Sequence, residues 1–375
     1  MGLVHRIARA RLASQVIRRL RRAGVTDARY QAASFTVRFT RPGADEPTLL
    51  PLDSLLAGLA RRRPARPMAG RPARPGRRAR RGLLDRFVAG YLDEPGLPPD
   101  WAEVRGLLRP LLRPAHLRAG IPASGPDAPL RRPRLPFLSE FVVVDQPETM
   151  TYVGAGQLAG WGVTAEEVFR AARDNLSGAA LRGVAESPVV VQFTEDENAY
   201  WTSHLLLDGW LAGLAPQVGG APVAFAPDHG TLIVAAEGSA HVPELFARAE
   251  VMYLASPRAI SPMAYVSGDD GRTVPYAVPR GHPMHDCIRR AETIQRLQEY
   301  GRQAESLPGS APLRLVDGAR TRTVCTTDAL LPAADEIEVD GRVAAWEELA
   351  ADLTPVAGID PPRWTYNPRP PTEDG

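Results

Sequence analysis

The sequence predicts an α+β protein: a mixed sheet with helices packed mainly on one side, preceded by a small basic α/β region. Three observations carry this. Between residues 137 and 280, segments of helical period alternate with short apolar runs of strand length. Two of those runs, 221–226 and 231–235, are joined by the turn Pro227-Asp228-His229-Gly230, which makes a hairpin rather than a parallel crossover. Charge also divides the chain. Residues 1–136 hold 28 Arg against 10 Asp and Glu, whereas residues 137–375 hold 17 Arg against 33.

From the N-terminus, residues 3–22 place Val4, Ile7, Ala8, Leu12, Val16, Ile17 and Leu20 at helical spacing, with Arg9, Arg18, Arg21 and Arg22 largely elsewhere on the wheel. Gly24 ends this helix. Residues 30–40 alternate through Phe35, Val37 and Phe39 and read as one strand. Residues 49–60 read as a short strand and a helix. Residues 61–81 hold ten Arg and four Pro with almost nothing that packs, so they read as a disordered insertion. A helix resumes over 83–92, followed by a Pro-rich connection at 95–136 with a strand near 104–112.

The core module then runs from 137 to 280. Strands are expected at 141–144 and 151–153. Thr164 followed by Glu167 is a capping box that opens a helix through Val168, Phe169, Ala172 and Leu176. A strand at 188–193 and a helix at 200–214 follow. After the hairpin come a helix at 242–254 and a last strand at 261–266, closed by Gly268-Asp269-Asp270-Gly271. A C-terminal extension, 281–375, carries a helix at 286–305, a hairpin around Asp317-Gly318 and a short helix at 343–353. The expected divisions are therefore 1–60, 61–81, 82–136, 137–280 and 281–375.

Composition excludes several chemistries. Lysine is absent, and all 45 basic residues are arginine. That removes the P-loop, kinase, Schiff-base and Ser-x-x-Lys lysines, and arginine stays protonated at neutral pH. No apolar run approaches the ~20 residues that span a bilayer. The first residues lack the unbroken apolar stretch of a secretory signal, so the expected location is cytoplasmic. Cys287 and Cys325 are too few for a disulfide framework and are expected as thiols.

Local constellations are weak. Gly154, Gly156 and Gly160 are spaced Gly-x-Gly-x-x-x-Gly, and the strong helix start lies at Thr164. They read as a glycine-bearing turn, not a dinucleotide loop. His282, His285, Asp286 and Cys287 crowd four metal-ligand types into six residues, but Asp286 reads as a helix cap, and neither a metal nor a cofactor is expected. Ser203 and His204 are adjacent, so their side chains diverge. Ser239 near His241 reads as a helix cap, and Asp228 beside His229 as a turn residue that bonds its own backbone. Glu195, Asp196, Glu197, Asp269 and Asp270 read as solvated loop carboxylates.

The order of elements resembles the YtpQ-like bacterial proteins, a family known as domain of unknown function 1444. The stretches that carry the resemblance are FVVVDQPETMTYVGAGQLAGWGVTAEEVFRAARDNL at 141–176, ENAYWTSHLLLDGWL at 197–211 and APDHGTLIVAAEGSAHVPELFARAEVMYLASPRAISPMAYV at 226–266. The resemblance implies a fold and a bacterial cytosolic setting, and no activity. Trp201 and His204 stand where relatives tend to carry charged residues. It singles out Asn175, which closes the first stretch, and Ser203. With His204, Asp228 and His229 these make up the candidate functional surface.

Three functional readings follow. The first is a non-catalytic accessory or protein-interaction protein with an unidentified protein partner. In the second, the Arg-rich half binds the phosphates of nucleic acid, or an anionic surface, without reading sequence. Its candidate anion-binding residues are Arg61, Arg62, Arg63, Arg77, Arg78, Arg80 and Arg81. The third is an enzyme of unrecognised type using Asp228 and His229.

Overall fold

In the computed structural model, described residues are 3–32, 35–42, 47–52, 55, 56, 59, 77–92, 97–116, 125, 126, 128–146, 150–176, 183–194, 200–326 and 328–368. They form two compact units, one of residues 1–107 with 144–151 and one of residues 108–143 with 152–375. The α+β class holds.

In the first unit, α1 (Leu3–Arg22) buries Leu12, Val16 and Leu20 of the expected apolar stripe together with Ala13, whereas Ile7 and Ala8 at its N-terminal end are exposed. Gly24 at φ +91° lets the chain turn back, so that the Val25 amide caps the Leu20 carbonyl. The single strand expected over 30–40 is instead a hairpin. Phe35 takes φ +53° and divides β1 (Arg29–Gln31) from β2 (Thr36–Thr40), and β3 (Pro47–Pro51) pairs on the far side of β2. The next helix, α2 (Arg77–Leu92), packs Leu84 and Val88 into the same core. It begins six residues before the expected start. Arginine is a good helix former, and α2 is already anchored by its apolar stripe, so its first turns extend through Arg77–Arg81. The expected disorder is thus corrected at 77–81, and 61–76 lies outside the described residues.

The expected strand at 104–112 is also displaced. Residues 101–104 form α3 (Trp101–Val104), and β4 (Leu108–Pro114) follows a tight turn. In the second unit β6 (Leu138–Asp145) lies between β4 and β5 (Arg131–Leu135). The two strands that carry Pro110, Pro114 and Pro133 thus flank a proline-free central strand. A short strand, β7 (Met150–Tyr152), precedes α4 (Gln157–Trp161). The capping box forms as expected: Glu167 N–H donates to Thr164 Oγ1, and Glu167 Oε2 accepts from Thr164 N–H, opening α5 (Ala165–Asp174).

The centre of this unit is a five-stranded antiparallel sheet. β8 (Val190–Thr194) pairs with β10 (Thr231–Ala236), which forms the expected hairpin with β9 (Pro222–Asp228). β9 continues to β11 (Ala264–Ser267) and then β12 (Thr273–Pro275). β12 lies beyond what had read as the last strand. The helix expected over 200–214 is a pair of 3₁₀ segments, Trp201–Leu206 and Ala212–Leu214, and then α6 (Ala215–Val218). Tyr200 and Gly209 both take positive φ, which interrupts an α-helical ladder. α7 (Val242–Ala255) crosses β9 and packs against α8 (His285–Ala304).

The extension from residue 281 onward belongs to this unit. A mixed sheet runs β13 (Leu313–Asp317), β14 (Arg320–Cys325), β16 (Glu336–Val339), β17 (Arg342–Ala345), with β14 and β16 parallel. A second, small sheet joins β15 (Leu331–Pro332) and β18 (Leu353–Pro355) to β19 (Arg363–Tyr366). Residues 343–353, expected as a short helix, are shared between β17 and the 3₁₀ segment Glu347–Asp352.

Candidate functional site

Asn175, Ser203 and His204 lie in the second unit, where Asn175 and Ser203 anchor to β4 at points four residues apart. Asn175 Nδ2 donates to the Leu108 carbonyl at 2.9 Å, and Ser203 Oγ accepts from Leu112 N–H at 3.3 Å. His204 is buried with its ring between Trp201 and Trp210, at centroid distances of 5.1 and 4.9 Å. Its Nδ1 faces the Tyr200 carbonyl at 3.2 Å, and a carbonyl only accepts, so Nδ1 carries the proton and Nε2 is bare. Burial holds its pKa below the usual imidazole value. Beside it, a groove of about 500 Å³ is lined by Arg173, Asp174, Asp208 and Trp210. Arg173 is committed there: it and Arg132 grip the buried Glu140 carboxylate at 2.5–2.8 Å.

Asp228 and His229 lie elsewhere, on the β9–β10 turn. Asp228 Oδ1 accepts from Gly230 N–H, the expected backbone bond, and His229 Nδ1 accepts from Arg258 Nε at 2.8 Å. The other local constellations are structural as well. α4 starts at the glycines, with Gly156 as its cap, which corrects the expectation that the helix start lies only at Thr164. Gln157 Oε1 occupies the Gly154 N–H. Asp286 is not the cap of α8; Met284 holds that position, and its N–H donates to His282 Nδ1. The cap of α7 is likewise His241, without a side-chain cap bond, and Ser239 Oγ only accepts from the His241 N–H. Among the described residues, no group of three or more His, Cys, Asp or Glu is placed to hold a metal. Glu195, Asp196 and Glu197 lie outside the described residues.

The first unit presents a different surface. α1 contains seven Arg and no acidic residue. Because its apolar stripe faces the core, Arg6, Arg11, Arg18, Arg21 and Arg22 stand outside. Two concavities lie against it and share Arg19 and Arg22. One, of about 610 Å³, adds Arg11 and Arg18 on α1 itself. The other, of about 690 Å³, lies between α1 and α2 and adds Arg81, Asp85, Val88 and Leu92.

No family model, curated protein or solved structure matches this chain.

The candidate arginines distribute accordingly. Arg61, Arg62 and Arg63 lie outside the described residues. Arg77, Arg78 and Arg80 belong to the first turns of α2, and Arg81 lines the groove with its side chain exposed. The α1 arginines that define the surface were legible as a basic amphipathic helix, but not as the wall of a groove, because α2 supplies the other wall from more than 50 positions away.

Sequence reasoning also missed a buried polar chain in the second unit. Tyr265 OH donates to Ser261 Oγ at 2.7 Å, and Ser261 Oγ donates to Gln295 Oε1 at 2.6 Å. One helical turn on, Glu299 accepts from Tyr253 OH at 3.1 Å and from Arg302. Burial pushes the Glu299 carboxyl up to about 7, against the opposing pull of Arg302 and Tyr253. The spacing of Gln295, Glu299 and Arg302 is that of an ordinary solvated helix face. Tertiary packing, with α7 among the covering elements, buries Gln295 and Glu299.

Proposed function

We propose that this chain is a non-catalytic accessory protein whose first unit holds nucleic acid by its phosphate backbone, without reading sequence. One observation carries the reading: α1 turns an acid-free row of arginines outward while Leu12, Val16, Ile17 and Leu20 of its apolar stripe pack into its own core. A row of fixed guanidinium groups on a rigid helix suits a regularly charged polymer, because each contact releases condensed counterions. Twenty residues of helix extend about 30 Å, the length of roughly nine base pairs.

The same observation favours nucleic acid over an anionic membrane. An interfacial helix needs a free apolar face to insert. On the described part of α1 the exposed large apolar side chain is Ile7. The non-catalytic part of the reading rests on the second unit, where Asn175, Ser203, Asp228 and the His229 Nδ1 atom are each engaged in bonds that hold the backbone or a neighbouring arginine. The YtpQ-like pattern adds no activity to this.

The test is anisotropy of a labelled 20-base-pair duplex with the full chain at several salt concentrations. Five phosphate contacts give a slope of about −4.5 in log K against log salt, or roughly a 500-fold loss between 50 and 200 mM. Replacing Arg11, Arg18 and Arg22 together by Gln is expected to flatten the slope by nearly 3 for every sequence tried. A slope near zero in the unmodified protein refutes the reading.

A further inference from the structure

The groove between α1 and α2 contains one acidic residue, and its position is that of a ligand. Asp85 Oδ1 accepts from Arg19 Nε at 2.7 Å, and Asp85 Oδ2 lies 3.8 Å from Arg81 Nε. Its two oxygens thus face guanidinium groups from both walls. Arg19 is held in place for this, because its Nη1 donates to the Gln15 carbonyl at 3.0 Å. Arg22, on the same groove, makes no ion pair among the described residues. Asp85 itself is half exposed, and an exposed pair of this kind contributes little to stability.

Resting on the reading above, we propose that Asp85 is an internal stand-in for phosphate: it occupies the anion position between Arg19 and Arg81, and a backbone phosphate of nucleic acid displaces it. A phosphate diester brings the same single charge and a similar spacing of oxygens, and its neighbours along the polymer reach Arg22 and the exposed α1 arginines together. The carboxylate therefore acts as an intramolecular competitor. It keeps the groove closed to isolated small anions, and a polymer that engages several arginines at once displaces it. The floor of Val88 and Leu92 is aliphatic, so the groove grips phosphate and offers no aromatic platform for a base.

The test uses the full chain and four variants: Asp85→Asn, Asp85→Ser, Asp100→Asn and Arg22→Gln. Asp100 is exposed, lies outside the groove and makes no side-chain cap bond, so its substitution changes charge alone. The labelled 20-base-pair duplex is titrated over a salt series, with vesicles containing phosphatidylserine as a second arm. Asp85→Asn and Asp85→Ser are expected to bind the duplex about fivefold tighter, with a slope steeper by about 0.9 for the added phosphate contact. Asp100→Asn is expected to shift binding less than twofold, and Arg22→Gln to weaken it. If the unmodified protein binds duplex with a steep slope but the Asp85 variants bind no tighter, or no tighter than Asp100→Asn, the stand-in role is overturned and nucleic-acid binding stands. If the unmodified protein shows no salt-dependent duplex binding, or prefers the vesicles, the underlying reading fails first.

Discussion

Replacing Arg363 by methionine is expected to destabilise the second unit by about 4 kcal/mol. The guanidinium is fully buried and forms no ion pair among the described residues. It is solvated instead by four neutral oxygens. Nε donates to Gln303 Oε1 at 2.6 Å, Nη1 to the carbonyls of Ala311 at 3.0 Å and Leu330 at 2.7 Å, and Nη2 to the Tyr300 carbonyl at 3.1 Å. Burial lowers its pKa to about 10, so the group is still a cation at neutral pH. These bonds fasten β19 to the last turns of α8 and to the segments that lead into β13 and β15. Methionine matches the length and removes every donor. Each buried acceptor left unpaired costs about 1–3 kcal/mol, partly offset by the relieved desolvation of the cation and by the added apolar burial. Lysine keeps the charge but offers three donors from one point, so Arg363→Lys should cost about half as much. Urea unfolding followed by tryptophan fluorescence suits this, since Trp161, Trp201, Trp210, Trp346 and Trp364 lie in the second unit. With m near 3 kcal/mol/M, the methionine variant should lose roughly 1.3 M in midpoint at unchanged m. A loss below about 1 kcal/mol would refute the reasoning, because the four oxygens would then have rehydrated without cost.

Glu299 makes stability depend on pH. Its pKa rises from 4.5 to about 7 on folding, so the folded state binds the extra proton. Its contribution is fully favourable below pH 4.5 and is lost as pH rises to 7, about 3 kcal/mol in all. Glu299→Gln is expected to flatten that loss and raise the midpoint at pH 8; an unchanged pH profile would count against it. His204 works in the opposite direction. Its lowered pKa means the unfolded chain gains the proton first, so stability falls as pH drops below 6.5, and His204→Gln should remove that acid-side slope. Thr164→Ala should cost about 1 kcal/mol through loss of the capping box, seen as a lower melting temperature. Glu140→Ala should cost about 3–5 kcal/mol, because Arg132 and Arg173 lose a fully buried partner, and calorimetry would show it.

Features set within a few residues were legible in the chain. The Thr164–Glu167 box, the turn at Asp228 and the exposed arginines of α1 depend on side chains three or four positions apart, which any extended reading of the sequence can see. Errors arose where a local pattern met a backbone constraint. Residues 200–214 have helical spacing, yet Tyr200 at φ +46° and Gly209 at φ +77° break the ladder into 3₁₀ turns. Residues 30–40 alternate as one strand, yet Phe35 at φ +53° folds them into two. In both places, burial of large side chains in the core outweighs the cost of the backbone conformation.

The sequence by itself determined the α+β class, the charge division and the basic, acid-free outer face of α1, because periodicity and composition are properties of neighbouring residues. Only the tertiary structure decided which charges meet. It brought Asp85 between Arg19 and Arg81, enclosed Glu299 beneath α7, and left Arg363 solvated by carbonyls from segments 33 to 63 positions away. Those placements depend on how distant elements pack, and burial changes what a charge does: the same carboxylate or guanidinium that is an ordinary solvated group on a helix face becomes, when desolvated, a clamp, a proton acceptor near neutral pH or a competitor for phosphate.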